Sequence, residues 1–237
     1  MEHTHRTTST CRTQAATAGE FLNKLTSAAM TDLNSLLFPS SYPANFVLFS
    51  EKDPAQGIFI IVEGEVKVSL NSSDGRRLSL SIARKGEILG LASALSGHPF
   101  DMTAETLYPA KVAHVGRREF LAFLGRHPEA YQIVIEELSR NVTRACDQLR
   151  TVGLAATAPE KLARLLLDWS ENGQTTECGG ARFRFSMTHE EIGEFIGASR
   201  ETVTRTLSTF RTRRLVAFQG SMLTIPDRSA LAHYAHA

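Results

Sequence analysis

Cysteine is scarce and badly placed for a covalent framework: Cys11, Cys146 and Cys178 are odd in number and far apart. That excludes a disulfide scaffold and a CxxC-type metal site, and it fits a reducing, cytoplasmic setting. No apolar run approaches the roughly 18 residues of a spanning helix. The first twenty residues are polar and Thr-rich with no apolar signal core, so no membrane partner is expected. Charge of one sign is lacking too, because a net charge of +1 over 237 residues creates no global field. Any electrostatic footprint has to be local. Catalytic fingerprints are missing as well. There is no Gly-x-Ser-x-Gly, P-loop or dinucleotide motif, and no His-x-His pair in the β-rich part of the kind a cupin-type metalloenzyme would need. The chain is not expected to be an enzyme.

What is present is ordinary globular composition, 42% hydrophobic and 22% charged, in a chain long enough for two modest cores. Residues 1–19 are expected to be a disordered tail. Apolar residues at helical spacing (Leu22, Leu25, Leu33, Leu36, Leu37) predict short helices before Pro39. Short β-branched runs follow at 47–49, 58–62, 66–70, 78–82 and 111–115, separated by Gly- and Pro-bearing corners. This texture between about 44 and 117 predicts a β-barrel or roll. Helical texture returns at Arg117. After Pro128, Ile135, Val142 and Leu149 recur every seven residues, and Leu138, Ala145 and Val152 repeat on an offset of three. That a/d seam predicts a helix that packs against its own copy, a homodimer. The alternative is a helix packed only on its own domain.

The C-terminal third carries the most specific pattern. A helix is expected over 160–169, then a polar loop and a short strand at 182–185. Thr188 is followed three residues later by Glu191, a capping-box pair ahead of the apolar Ile192, Phe195 and Ile196. Gly197-Ala198 makes a turn and Ser199 caps a second helix, so two short helices flank a tight turn, the helix-turn-helix pattern. In that second helix Val203, Leu207 and Phe210 share a core face at i, i+4 and i+7. Arg200, Glu201 and Arg205 point elsewhere, and residues 200–214 hold five arginines against one Glu, the local basic patch that the net charge conceals. Residues 215–225 alternate around Gln219-Gly220, a hairpin that would form a wing.

The stretch THEEIGEFIGASRETVTRTL, residues 188–207, resembles the helix-turn-helix signature of the cyclic-AMP receptor protein/FNR family of bacterial transcription regulators. The likeness extends over about residues 20–235. It implies an α+β architecture: an N-terminal β-roll of the double-stranded β-helix, cyclic-nucleotide-binding type over 20–127, a long dimerisation helix over 128–153, and a winged helix-turn-helix over 154–237. It also implies a dimer that binds double-stranded DNA and contacts RNA polymerase. By the resemblance Arg200, Glu201 and Arg205 read base edges, with Ser199, Thr202, Thr204, Thr188 and Arg211 as further DNA-binding residues. The chemistry agrees, since Arg forks onto guanine O6 and N7 while Glu accepts from cytosine N4. Arg200 matches the cyclic-AMP-receptor branch, which implies a palindrome with TGTGA-like half-sites.

The effector end departs from the family. Gly86-Glu87-Ile88-Leu89-Gly90 matches the entry to the phosphate-binding cassette, but Leu91 stands where the ribose-binding Glu is expected. Phe100-Asp101-Met102 covers the place of the Arg-Ser pair, and no Arg lies between 85 and 116. A carboxylate facing a phosphate repels it. The degenerate pocket (Gly86, Glu87, Gly90, Leu91, Phe100, Asp101, Met102) therefore argues against cyclic AMP. It leaves an unknown small effector or a ligand-independent roll that serves as a scaffold. An iron-sulfur cluster would need four thiolates where Cys11 stands alone. Haem would have to use single histidines such as His98, His114 or His127.

Overall fold

The computed structural model describes residues 20–72, 75–153, 157–171, 173–176, 179–185 and 187–235. The expected tail over 1–19 lies outside them, as do Cys11 and Cys178. The contacts divide the chain into two compact units, 1–70 with 82–142 and 71–81 with 143–237.

The first unit opens with helices α1 (Glu20–Lys24) and α2 (Ser27–Leu36). The Thr26 hydroxyl caps α2 by accepting from the Ala29 N–H. Strands β1 (Phe38–Tyr42), β2 (Val47–Phe49), β3 (Gly57–Glu63), β4 (Val66–Asn71), β5 (Arg77–Ala83, of which 77–81 are grouped with the second unit), β6 (Ile88–Leu89), β7 (Thr103–Thr106) and β8 (Ala110–Gly116) form two sheets, ordered β1-β8-β3-β6 and β2-β7-β4-β5. Helix α3 (Leu91–Ser96) interrupts the strands, and α4 (Arg117–Arg126) and α5 (Ala130–Gly153) follow them. The roll begins earlier than its composition suggests. β1 starts before Pro43 and carries Pro39, which an edge strand tolerates because the missing N–H has no ladder partner to serve.

β3 explains why the roll has two cores. Its side chains alternate, so Ile58 and Ile60 join a core with Phe21, Leu33, Phe120, Phe123, Leu124 and Ile133 on the helix side. Ile61 points the other way, into a core with Phe49, Val66, Val68, Leu89, Phe100 and Val112. A strand buried on both faces reads as a continuous apolar run, which is what residues 58–62 of β3 are.

In the second unit, α6 (Ala158–Ser170), β9 (Gln174–Thr175), β10 (Ala181–Arg184), α7 (His189–Ile196), α8 (Arg200–Thr212), β11 (Ala217–Gln219), β12 (Met222–Ile225) and α9 (Arg228–Ala235) follow the last turns of α5. The sheet order is β11-β12-β10-β9. Leu162, Leu166, Ile192, Val203, Phe210, Leu223 and Ile225 are buried in this unit, with Trp169 packed edge-on against Phe195 at 5.7 Å between ring centroids.

One carboxyl on α6 is out of balance. Desolvation first, and then the charges of Glu171 and Asp147, push the Asp168 carboxyl up to about 6, while Arg164 pulls the other way. A raised carboxyl favours the folded state most below its ordinary value of 3.8, and that contribution is lost as pH rises through about 6. Because the side chain also reaches solvent, screening reduces the effect. We expect Asp168→Asn to stabilise the protein by about 1 kcal/mol at pH 8 and by almost nothing near pH 4, read from denaturant unfolding at the two pH values.

Candidate nucleic-acid interface

Two capped helices build the interface. The Thr188 hydroxyl accepts from Glu191 N at 3.2 Å, and the Glu191 carboxylate accepts from Thr188 N at 2.8 Å, closing the capping box of α7. Gly197 ends α7 in the left-handed conformation, and Ser199 caps α8 by accepting from Thr202 N at 3.3 Å. The turn is tight enough to demand Gly193, where a Cβ would stand 2.5 Å from the Ala198 carbonyl oxygen. Since the obstacle is backbone, Gly193→Ala should lower stability by about 1–3 kcal/mol, seen as a fall in thermal midpoint.

Behind α8, Val203, Leu207 and Phe210 are buried, as their spacing predicts. In front, Arg200, Glu201, Thr204, Arg205, Ser208 and Thr209 line one open concave surface. Glu201 is held below the usual carboxylate range by its own backbone N–H, then by the Ser199 hydroxyl, with Arg200 nearby. It is thus an anion at neutral pH, able to accept from a base amino group. Among the described residues no ion pair joins Glu201 to Arg205. Thr202 has its hydroxyl within 3.2 Å of Ser199 Oγ, so it serves the cap. Arg211, Arg213 and Arg214 are exposed at the far end, and Arg213 lies over the Tyr234 ring at 5.6 Å from its centroid.

The wing is the hairpin of β11 and β12, with Gln219 paired to Met222. Arg182 on β10 donates to Gln219 Oε1 at 3.2 Å, fastening the hairpin to the sheet.

Residues 160–234 match the Crp-like helix-turn-helix domain and residues 39–127 match the cyclic nucleotide-binding domain. The CRP-like cAMP-activated global transcriptional regulator of Mycobacterium tuberculosis is 28% identical over 208 residues, which are 88% of this chain and 92% of the relative. The nitrogen fixation regulation protein FixK of Azorhizobium caulinodans is 26% identical over 195 residues, 81% of this chain and 77% of the relative. In fold, FixK2 from Bradyrhizobium japonicum superposes with a TM-score of 0.76 at 24% identity, over 85% of this chain and 98% of that one. The chain belongs to the CRP/FNR family. It is a DNA-binding transcription regulator of the CRP/FNR type, and its roll, long helix and C-terminal helix-turn-helix are the architecture expected from the resemblance.

In this CRP/FNR protein Phe100, at the place expected for the Arg-Ser pair, packs into the core of the roll. Phe100 is 4% exposed and stacks on Phe49 with ring centroids 4.0 Å apart. Phe59 stands 6.4 Å away. On its other side Phe100 lies against Gly90, where a Cβ would come within 2.7 Å of the ring. Met102 packs against the same core and Asp101 is exposed. Gly86 donates its N–H to the Ile61 carbonyl at 2.7 Å, and the Glu87 carbonyl accepts from Ile61 N at 3.0 Å, so both serve the corner before β6. Leu91 does not join them, because its side chain is in the helix-side core. Arg117, the first Arg after Lys85, does reach α3, but its Nε donates to the Ala94 carbonyl at 2.8 Å.

His114 and His127 have different neighbours. His114 lies 4.8 Å from the Phe59 ring, and burial lowers its pKa, with Glu119 opposing. His127 faces Asp32 at 3.0 Å. Among the described residues no three His, Cys, Asp or Glu side chains gather as a metal site, and no helix is long and apolar enough to cross a membrane.

Along α5, Ile135, Val142 and Leu149 are 59%, 64% and 63% exposed. Ala145 and Val152 are half-buried. Leu138 instead packs against the helix-side core of its own chain. Tyr131, 45% exposed, falls one position of the same heptad pattern earlier and extends the stripe. The spacing could have revealed it. Cys146 on this helix is a free, exposed thiol.

Proposed function

We infer that this regulator works as a homodimer that reads a two-fold symmetric DNA site with TGTGA-like half-sites, each through Arg200, Glu201 and Arg205. The observation that carries this reading is the single face of α8 on which two guanidinium groups and a carboxylate stand together above a buried apolar stripe. Guanine N7 and O6 fit the arginines and cytosine N4 fits the glutamate. Thr188, Ser199, Thr202, Thr204 and Arg211 support the contact from the caps and the rim. The exposed seam on α5 supports the dimer, which would set two recognition helices about 34 Å apart along one face of DNA. RNA polymerase is the expected protein partner, and the cytoplasm is the expected compartment.

The Phe49-Phe100 stack favours a roll that works without a cyclic nucleotide, because an aromatic ring and the exposed Asp101 stand where an anion-binding pair would be needed. We expect purified protein to bind a palindromic TGTGA duplex with nanomolar affinity that cyclic AMP changes by less than about twofold. Fluorescence anisotropy with and without cyclic AMP, against a scrambled duplex, measures both. Equal affinity for the scrambled duplex would overturn the operator assignment, and a rise of tenfold or more with cyclic AMP would overturn the ligand-independent reading.

A further inference from the structure

His189 is not among the side chains that spacing assigns to the groove, yet it is tied to the recognition helix. Its Nδ1 lies 2.7 Å from Thr204 Oγ1, and the same hydroxyl donates to the Arg200 backbone carbonyl at 2.8 Å. A hydroxyl has one hydrogen to give. Both bonds are satisfied together only when Thr204 donates to Arg200 and accepts Nδ1–H from His189. The tether therefore fixes Nδ1 as the protonated nitrogen of the neutral ring. Nε2 then carries a lone pair and no hydrogen, and it becomes a donor only when the ring is charged.

Position decides what Nε2 meets. His189 is the first residue of α7, directly after the Thr188 cap. In a helix-turn-helix the first helix crosses the DNA backbone while the second enters the major groove. Thr204 belongs to the groove-facing surface with Arg200, Glu201 and Arg205, so the imbalance of chemistry falls where that surface gives way to the backbone. A phosphate oxygen only accepts hydrogen bonds. The neutral, tethered ring would present it with a lone pair, whereas the charged ring presents an N–H and a positive charge.

We propose that His189 is a DNA-phosphate contact that binds only in its protonated form, so that each protomer takes up one proton on binding DNA. The proposal rests on the DNA-binding reading above. The charged side chains of the two elements that hold His189 are Glu190, Glu191 and Glu194 on α7 and Arg200, Glu201, Arg205 and Arg211 on α8. Glu191 is engaged by Thr188 N and Oγ1. A DNA phosphate oxygen favours the charged ring, with which it can form a hydrogen bond as well as an ion pair.

The test is operator affinity of the full chain at pH 6 and pH 8 at one ionic strength, by fluorescence anisotropy, with folding of each variant checked by circular dichroism. Wild type should bind roughly tenfold less tightly per protomer at pH 8, since an imidazole changes charge in this range. His189→Arg should stay tight at both pH values, and His189→Gln should be equally weak at both. Thr204→Val removes the tether and frees the neutral ring to place its hydrogen on Nε2, so whatever its absolute affinity, the ratio of its affinities at pH 6 and pH 8 should shrink toward one. Identical pH dependence in wild type and His189→Gln would overturn the proposal while leaving the operator reading intact. Failure of wild type to prefer the operator over a scrambled duplex at either pH would overturn the operator reading and the proposal together.

Discussion

Arg205→Ala is expected to weaken operator binding by about 1–3 kcal/mol at each half-site, or about 2–6 kcal/mol for a dimer that makes the contact twice. The side chain is exposed on α8 with no ion pair to Glu201 among the described residues, so its removal leaves no buried partner unsatisfied. The fold should be untouched, because Val203, Leu207 and Phe210 form the packed face. The loss should be selective: discrimination at the one guanine that Arg205 faces should relax, while the other positions keep their preference. A titration of Arg205→Ala against duplexes altered one base pair at a time checks both parts. Uniform weakening across all positions would mark Arg205 as a phosphate contact instead.

Val142→Glu should give a folded monomer whose operator affinity falls by at least about a hundredfold, because a dimer on two half-sites gains avidity that a single protomer lacks. Val142 is 64% exposed in the isolated chain, so a carboxylate there costs the monomer almost nothing. In a parallel seam the same residue would face its copy, and two charges would have to leave water together. Leu138 is a poorer choice, although the heptad pattern makes it equivalent. It packs against its own chain's helix-side core, so a charge there would unfold the roll before it tested the seam. Sedimentation velocity at micromolar concentration, with operator titration alongside, distinguishes these outcomes. A Val142→Glu protein that remained dimeric would place the interface elsewhere.

The contrast between Val142 and Leu138 shows how far the sequence reaches. Periodicity exposed the long helix, the two helices around Gly197 and the wing, because in each the buried and exposed faces repeat at the period of the element itself. Distant pairings left no such trace. β7 is Thr103-Ala104-Glu105-Thr106, which reads as loop, yet Thr103 and Thr106 are buried because their hydroxyls have partners elsewhere. Thr106 Oγ1 donates to the Pro43 carbonyl at 2.7 Å, and Thr103 Oγ1 accepts from Glu51 N at 3.1 Å. Similarly, substitutions at Leu91 and Asp101 were visible as departures from the family, whereas the insertion of Phe100 between Phe49 and Gly90 is a fact of packing. His189 stayed hidden because its importance lies in a bond to Thr204, fifteen positions away.

The most direct measurement of the central claim is a double-mutant cycle between Arg205→Ala and replacement of the facing guanine by 7-deazaguanine, which removes only the N7 acceptor. If Arg205 reads that guanine, the two changes should be non-additive, with a coupling of about 1–3 kcal/mol per half-site. Strict additivity of the two losses would contradict the assignment of α8 as the reading helix through Arg205.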